Sequence, residues 1–364
     1  MPCAKAPTAA AGGGFRRRRA ASVDGVDLAE LTTLRLGGPA RAVIDAETEQ
    51  HLVDVVRVAD EAGDPVLLVG GGSNLVVADA GVDATVVRVL TRGITVDADA
   101  CSGAMVTVAA GEPWDAVVAR AVAEGWIGVE ALSGIPGSTG ATPVQNVGAY
   151  GQEVAQTIAS VRTYDRYDRR IRTYAAADCG FLYRHSRFKA EPQRHVVLAV
   201  TFQLTLGDLS APVAYAELAR TLGVAVGERA PVADVREAVL ALRRGKAMVL
   251  DPDDHDTWSA GSFFTNPLLT PEQAAALPDG APRFDQPDGT VKTSAAWLID
   301  RAGFAKGHGS SAVSLSTKHT LALTNRGTGT TAQLLELARE VRDGVDQAFG
   351  ITLVNEPVLV GCEL

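Results

Sequence analysis

The chain has 364 residues, 46% of them hydrophobic and 21% charged, with a formal net charge of −9. That is the make-up of a globular chain of two or three domains with a large buried core. The acidic balance argues against nucleic acid or an anionic membrane as the main partner, and no unbroken run of 18 apolar residues is present to span a bilayer.

In chain order, the first 23 residues carry Ala/Gly tracts and four arginines, Arg16 to Arg19, without the apolar stretch of a signal peptide. A basic arm for nucleic acid is the rival reading, but such tracts ordinarily form a disordered leader. Thr48 caps a predicted helix to Ala62, with Leu52, Val55, Val56, Ala59 and Ala62 on one face and Gly63 as its stop. Asp64-Pro65 turns the chain into a strand over Val66–Val69. A further strand near Thr85–Leu90 closes a first α/β unit at about Thr91.

A strand at Val106–Ala110 opens a second unit. Trp114, Val117, Val118, Ala121 and Val122 then recur at helical spacing up to Gly125. Ser160–Tyr164 and Ile171–Tyr174 read as a hairpin and His195–Leu206 as a strong strand. No helical pattern interrupts them, so this portion is expected to be largely antiparallel. Beyond Ala211 the predicted elements are helices near Asp234–Arg244, Ala295–Ala302 and Thr331–Phe349, then a closing strand over Ile351–Val360. Cys3, Cys101, Cys179 and Cys362 are far apart and lack CxxC spacing, which reads as reduced thiols in a cytoplasmic protein. The run Asp253, Asp254, His255 and Asp256 reads as a solvated acidic loop and not as a metal site.

Two loops carry the chemistry. One runs ALSGIPGSTGATPVQNVGAYG from Ala131 to Gly151, and the other, VGGGSN, follows the strand Val66–Val69. Glycines and small residues let main-chain N–H groups approach a ligand, which suits the many oxygens of a diphosphate. A Rossmann site is the obvious rival, but Leu75 stands where its third glycine belongs. The string GxxxxGK[ST] of a P-loop is absent. That leaves a diphosphate ligand held by loops.

The blocks TTLRLGGPA, GGGSN, IPGSTGATPVQNVGAYGQE, YRHSRFK, GSFFTNP, AAWLIDRAGFAKG and LVNEPVLVG follow one another from Thr32 to Gly361. In these the chain resembles the UDP-N-acetylenolpyruvoylglucosamine reductase family. The resemblance implies an α+β fold: a two-subdomain FAD-binding domain of the p-cresol methylhydroxylase and vanillyl-alcohol oxidase type, about 24–91 and 92–208, and a C-terminal α+β substrate domain over 209–364. It also implies FAD as cofactor, NADPH as reductant, and reduction of UDP-N-acetylglucosamine enolpyruvate to UDP-N-acetylmuramate by a cytoplasmic monomer. Oxidases of the same superfamily often tether FAD through His or Cys. Neither glycine-rich loop holds one, so FAD is expected to be non-covalent. The segment APVAYAELAR, with Tyr215, matches the family's longer class.

The resemblance gives Ser262 the proton donor's place, Arg184 that of the catalytic arginine and Glu356, on the last strand, that of the catalytic glutamate. A planar guanidinium suits a carboxylate on which charge builds. A glutamate facing an enolate must be protonated or bonded through a donor. FAD contacts are implied for Gly70, Gly71, Gly72, Ser73 and Asn74 in one loop. In the other they are implied for Ser133, Ile135, Pro136, Gly137, Ser138, Gly140, Ala141, Asn146, Gly148, Ala149 and Tyr150. Tyr183, Tyr215, Lys246, Asn266, Lys306 and His319 match positions around the substrate; His319 stands where some relatives have glutamine. A non-catalytic sensor of the same fold is the other class to weigh, and the presence of Ser262, Arg184 and Glu356 together disfavours it.

Overall fold

The computed structural model describes residues 25–99 and 101–364; the leader expected over residues 1–23 lies outside them. Strands Ala40–Ala46, Val82–Val89 and Val66–Val69 lie side by side in that order, all parallel. Parallel strands need a long return, and helix Glu49–Ala62 provides it. The Thr48 side chain accepts from the His51 N–H at its start, and Gly63 ends it in the left-handed region at φ 71°.

The second sheet is antiparallel, in the order Arg170–Ala175, Ile158–Asp165, His195–Leu206, Gly103–Ala109, Ile94–Asp99, with Trp126–Ile127 added beside the end of His195–Leu206. The two sheets share one core. Leu52 and Val56 of the first helix and Val87 of the parallel sheet pack with Val106, Trp114, Val118 and Phe202. The glycine-rich segment crosses this sheet closely: the Gly140 N–H donates to the Ala110 carbonyl at 2.8 Å. A Cβ at Gly140 would stand 2.5 Å from that of Ala110, so only glycine fits.

A second core forms around Phe263, Phe264, Leu298, Ile299 and the inner face of the long helix Thr331–Phe349, through Leu334, Ala338, Val341 and Val345. It takes in Leu34, Leu36 and Val76 from the early part of the chain. Helix Val232–Gly245 covers the expected 234–244. It packs with a short helix, Ala216–Leu222, against Ala131 at the start of the glycine-rich segment.

The expected closing strand Ile351–Val360 is corrected. Only Val358–Val360 is strand, and it pairs in parallel with Leu75–Val77, outside the C-terminal part. Proline has no N–H to give a ladder, so Pro357 delays pairing, and Glu356 lies in the segment ahead of the strand. Asn355 there bridges to Phe264. Among the described residues no helix is long and apolar enough to cross a membrane, and no three His, Cys, Asp or Glu side chains gather as a metal site.

Candidate active site

The two glycine-rich loops face each other. The Ser73 hydroxyl donates to the Pro136 carbonyl at 3.1 Å. A Cβ on Gly71 would lie 2.7 Å from the Gly137 Cα, so the loops touch backbone to backbone. The Trp114 N–H donates to the Gly137 carbonyl at 3.0 Å, fixing the second loop to the start of helix Trp114–Ala123. Among the described residues, the main-chain N–H groups of Gly71, Gly72, Ser73, Gly137 and Ser138 find no acceptor, although Gly72 and Ser138 are buried. Buried donors without partners call for an acceptor-rich ligand, and the diphosphate of FAD fits that need.

Beside these loops lies a knot of side chains from three distant segments. Leu182 and His185 exchange backbone hydrogen bonds at 3.1 Å, which puts Tyr183 and Arg184 at the tip of a tight turn. Arg184 adopts φ 51°, rare for a non-glycine residue. Its guanidinium donates to the carbonyls of Gly148 at 3.0 Å and Asn146 at 3.4 Å. Its Nε stands 2.8 Å from Glu356 Oε1 without forming a directed hydrogen bond, so the contact is one of charge. Gln145 Nε2 donates to the same Glu356 oxygen at 2.8 Å. Asn74 of the first glycine loop donates in turn to Gln145 at 2.9 Å. Gln145 is a residue that motif matching missed. It was visible in PVQNVG, but sequence alone cannot say whether it or Asn146 turns inward.

The segment that carries Ser262 is tied to Glu356 by its backbone, one residue further on. Gly261 turns the chain at φ 75°, and the buried pair Phe263–Phe264 then locks the segment into the core, ring centroids 5.1 Å apart. The Phe263 carbonyl accepts from the Glu356 N–H at 2.8 Å. Burial pushes the Tyr183 hydroxyl above its ordinary range, partly offset by Arg184 and by the neighbouring Asn266. Asn266 also accepts from the Ala295 N–H at 3.0 Å, at the start of helix Ala295–Arg301. Lys292 Nζ sits 4.9 Å from the Tyr183 ring centre.

A second cluster is cationic. Lys246, at the end of helix Val232–Gly245, pairs with Glu217 at 2.6 Å and lies 5.8 Å from the Tyr150 ring centre. Burial lowers its pKa, but Glu217 and Tyr150 more than offset this and the net direction is upward. Tyr150 and Tyr215 meet edge to face at 5.4 Å. The pKa of His319 is lowered to about 4, first by burial and then by the charges of Lys246, Lys306 and Arg243. The exposed Lys306 therefore belongs to the same neighbourhood.

The expectation of a solvated acidic loop fails at Asp256, which is only 4% exposed. Its carboxylate accepts from the Thr317 N–H at 2.9 Å and from Arg326 at 2.8 Å, so it organises the loop that carries His319. Two other side chains are engaged inside the protein. The Asn146 amide bonds Glu153, Leu182 and Ala155, and the Ser133 hydroxyl bonds Glu130 and Arg236. Any part they take in ligand binding falls to their backbone.

The geometry defines a flavin-binding oxidoreductase fold with an Arg–Glu pair beside the two glycine-rich loops and a second, cationic cluster. An FAD binding domain model matches residues 40–173, and the model of the UDP-N-acetylenolpyruvoylglucosamine reductase C-terminal domain matches residues 251–360. The UDP-N-acetylenolpyruvoylglucosamine reductase of Cutibacterium acnes is 58% identical over 342 residues, covering 93% of this chain and 90% of that one. That of Streptomyces coelicolor is also 58% identical, over 348 residues, with the same coverage. A crystal structure of the reductase from Thermus caldophilus superposes with a TM-score of 0.62 at 26% identity, covering 92% of this chain and 97% of the other. The chain belongs to the UDP-N-acetylenolpyruvoylglucosamine reductase family.

Proposed function

We propose that this protein reduces the enolpyruvyl group of UDP-N-acetylglucosamine enolpyruvate to the lactyl ether, giving UDP-N-acetylmuramate for peptidoglycan synthesis. We assign it to the longer class of its family and to the cytoplasm, acting as a monomer. When bound, non-covalent FAD supplies to the enolpyruvyl β-carbon a hydride that originates in NADPH. The unpartnered N–H groups of the two glycine-rich loops are the candidates to hold its diphosphate.

The remaining chemistry falls to side chains. Arg184 would take the substrate carboxylate, on which negative charge grows as the β-carbon is reduced. This requires the guanidinium to share or exchange its present partner, Glu356, 2.8 Å away. Ser262 would give its hydroxyl proton to the α-carbon and recover one from solvent, with Glu356 beside it. The N–H of Glu356 is tied to the carbonyl of the residue after Ser262, which keeps the two segments in register. Lys246 and Lys306, with Tyr150, Tyr215 and the neutral His319, would line the path of the UDP moiety.

The observation that carries this proposal is the Asn74–Gln145–Glu356–Arg184 chain, which joins both glycine-rich loops to the catalytic pair. The test is anaerobic flavin absorbance during sequential addition of NADPH and the enolpyruvyl nucleotide. NADPH should bleach the flavin and the nucleotide should restore its colour. In Ser262→Ala the first step should stay within about threefold, and the second should slow by at least about a hundredfold, as expected for loss of a placed proton donor. Equal losses in both steps would reject the role given to Ser262.

A further inference from the structure

We propose that Lys189 is a positioning residue for the reduction of the enolpyruvyl group, acting by holding Arg184 in its left-handed backbone conformation and against Glu356. This rests on the function proposed above. Lys189 Nζ donates to the Arg184 carbonyl at 3.0 Å. That carbonyl belongs to a residue at φ 51°, a conformation that persists only when its surroundings enforce it. The lysine comes from the next element, the short helix Arg187–Ala190, and is half-buried. Ser186 caps that helix, accepting from the Lys189 N–H at 3.3 Å while its hydroxyl donates to the Val144 carbonyl at 2.7 Å. Val144 precedes Gln145, whose side chain holds Glu356. One small structure therefore fixes the backbone of the arginine and, through the next residue, the partner of the glutamate.

Burial lowers the Lys189 pKa, and Glu356 acts in the opposite sense, so the ammonium feels the catalytic carboxylate. A surface lysine would have no reason to bring its charge into this half-buried corner and point it at a strained carbonyl. The position therefore reads as a built support for the arginine.

The experiment compares Lys189→Met and Lys189→Arg in the FAD-loaded enzyme. Lys189→Met should retain flavin and be reduced by NADPH within about threefold of wild type. Its re-oxidation by the enolpyruvyl nucleotide should slow by roughly ten- to a hundredfold, the range expected when a catalytic group is misplaced by about an ångström. The loss should fall on kcat more than on KM, and Lys189→Arg should recover most of it. In an Arg184→Lys background the same change should add little, because its effect passes through Arg184.

Unchanged re-oxidation in Lys189→Met, or an additive loss in the double variant, overturns the proposal. Crystals give a readout independent of turnover and of the proposed function: in Lys189→Met, Arg184 should leave its positive φ and separate from Glu356. An unmoved Arg184 overturns the proposal even if wild type proves not to use this nucleotide. If Lys189→Met does not fold, Lys189→Gln, which keeps a donor without the charge, serves in every arm with the same expectations, at a smaller loss.

Discussion

Glu356 shows how one side chain is fixed by contributors that lie far apart in sequence. Its Oε1 faces Arg184 and accepts from Gln145, while its N–H is held by Phe263. Removing the Gln145 amide should loosen the carboxylate without emptying the flavin site. Gln145→Ala should therefore lower nucleotide-dependent turnover by about tenfold or more, with flavin content preserved, as stopped-flow and absorbance would register. His319 gives a prediction in pH. Its unfolded imidazole titrates near 6.5, and the folded one only near 4. Between these values the unfolded chain binds more protons, so this residue's stabilising effect is complete above pH 6.5 and is lost as pH falls through 4. Denaturation midpoints from pH 7 to 4 should fall less steeply in His319→Gln. At neutral pH the imidazole adds no positive charge to the cluster and, like the neutral amide of a glutamine, can both donate and accept a hydrogen bond.

At the scale of elements, amphipathic helices were readable and exposed strands were not. Glu49–Ala62 and Thr331–Phe349 present apolar residues at helical spacing and carry side-chain caps, and both appear nearly where the pattern puts them. Ile94–Asp99 is an exposed edge strand, so no alternation marks it, and Ala216–Leu222 is too short to show a face. The glycine-rich loops were legible because their composition is chemical. Which side chains within them turn inward was not, because Asn146 at φ 45° reverses the chain just after Gln145. The long helix shows how caps can join distant parts. Asp79, beyond the first glycine loop, accepts from the N–H groups of Thr331 and Ala332 at 2.8 and 2.9 Å. Asp79→Ala should cost about 1 kcal/mol through the lost cap and the lost charge at the helix N-terminus, visible as a lowered Tm.

At the scale of the molecule, the C-terminal part is bound into the flavin-binding part by a strand and not by a linker alone. Val358–Val360 completes a parallel pair with Leu75–Val77, and Leu34, Leu36 and Val76 lie in the C-terminal core. Calorimetry should therefore show one cooperative unfolding transition in place of two. Leu359→Pro, opposite Val76, should destabilise by about 3 kcal/mol or more and lower flavin retention as well as turnover.

Asn74 and Glu356 are 282 residues apart in sequence, yet they meet in the folded protein. During synthesis the first glycine loop leaves the ribosome long before its partner strand has been translated. Its neighbours can settle into sheets in the meantime, but the Arg184–Glu356 pair cannot assemble. A nascent chain released before Glu356 is made should therefore hold the two glycine-rich loops without the Arg184–Glu356 pair and, on the function proposed above, should not turn over the nucleotide.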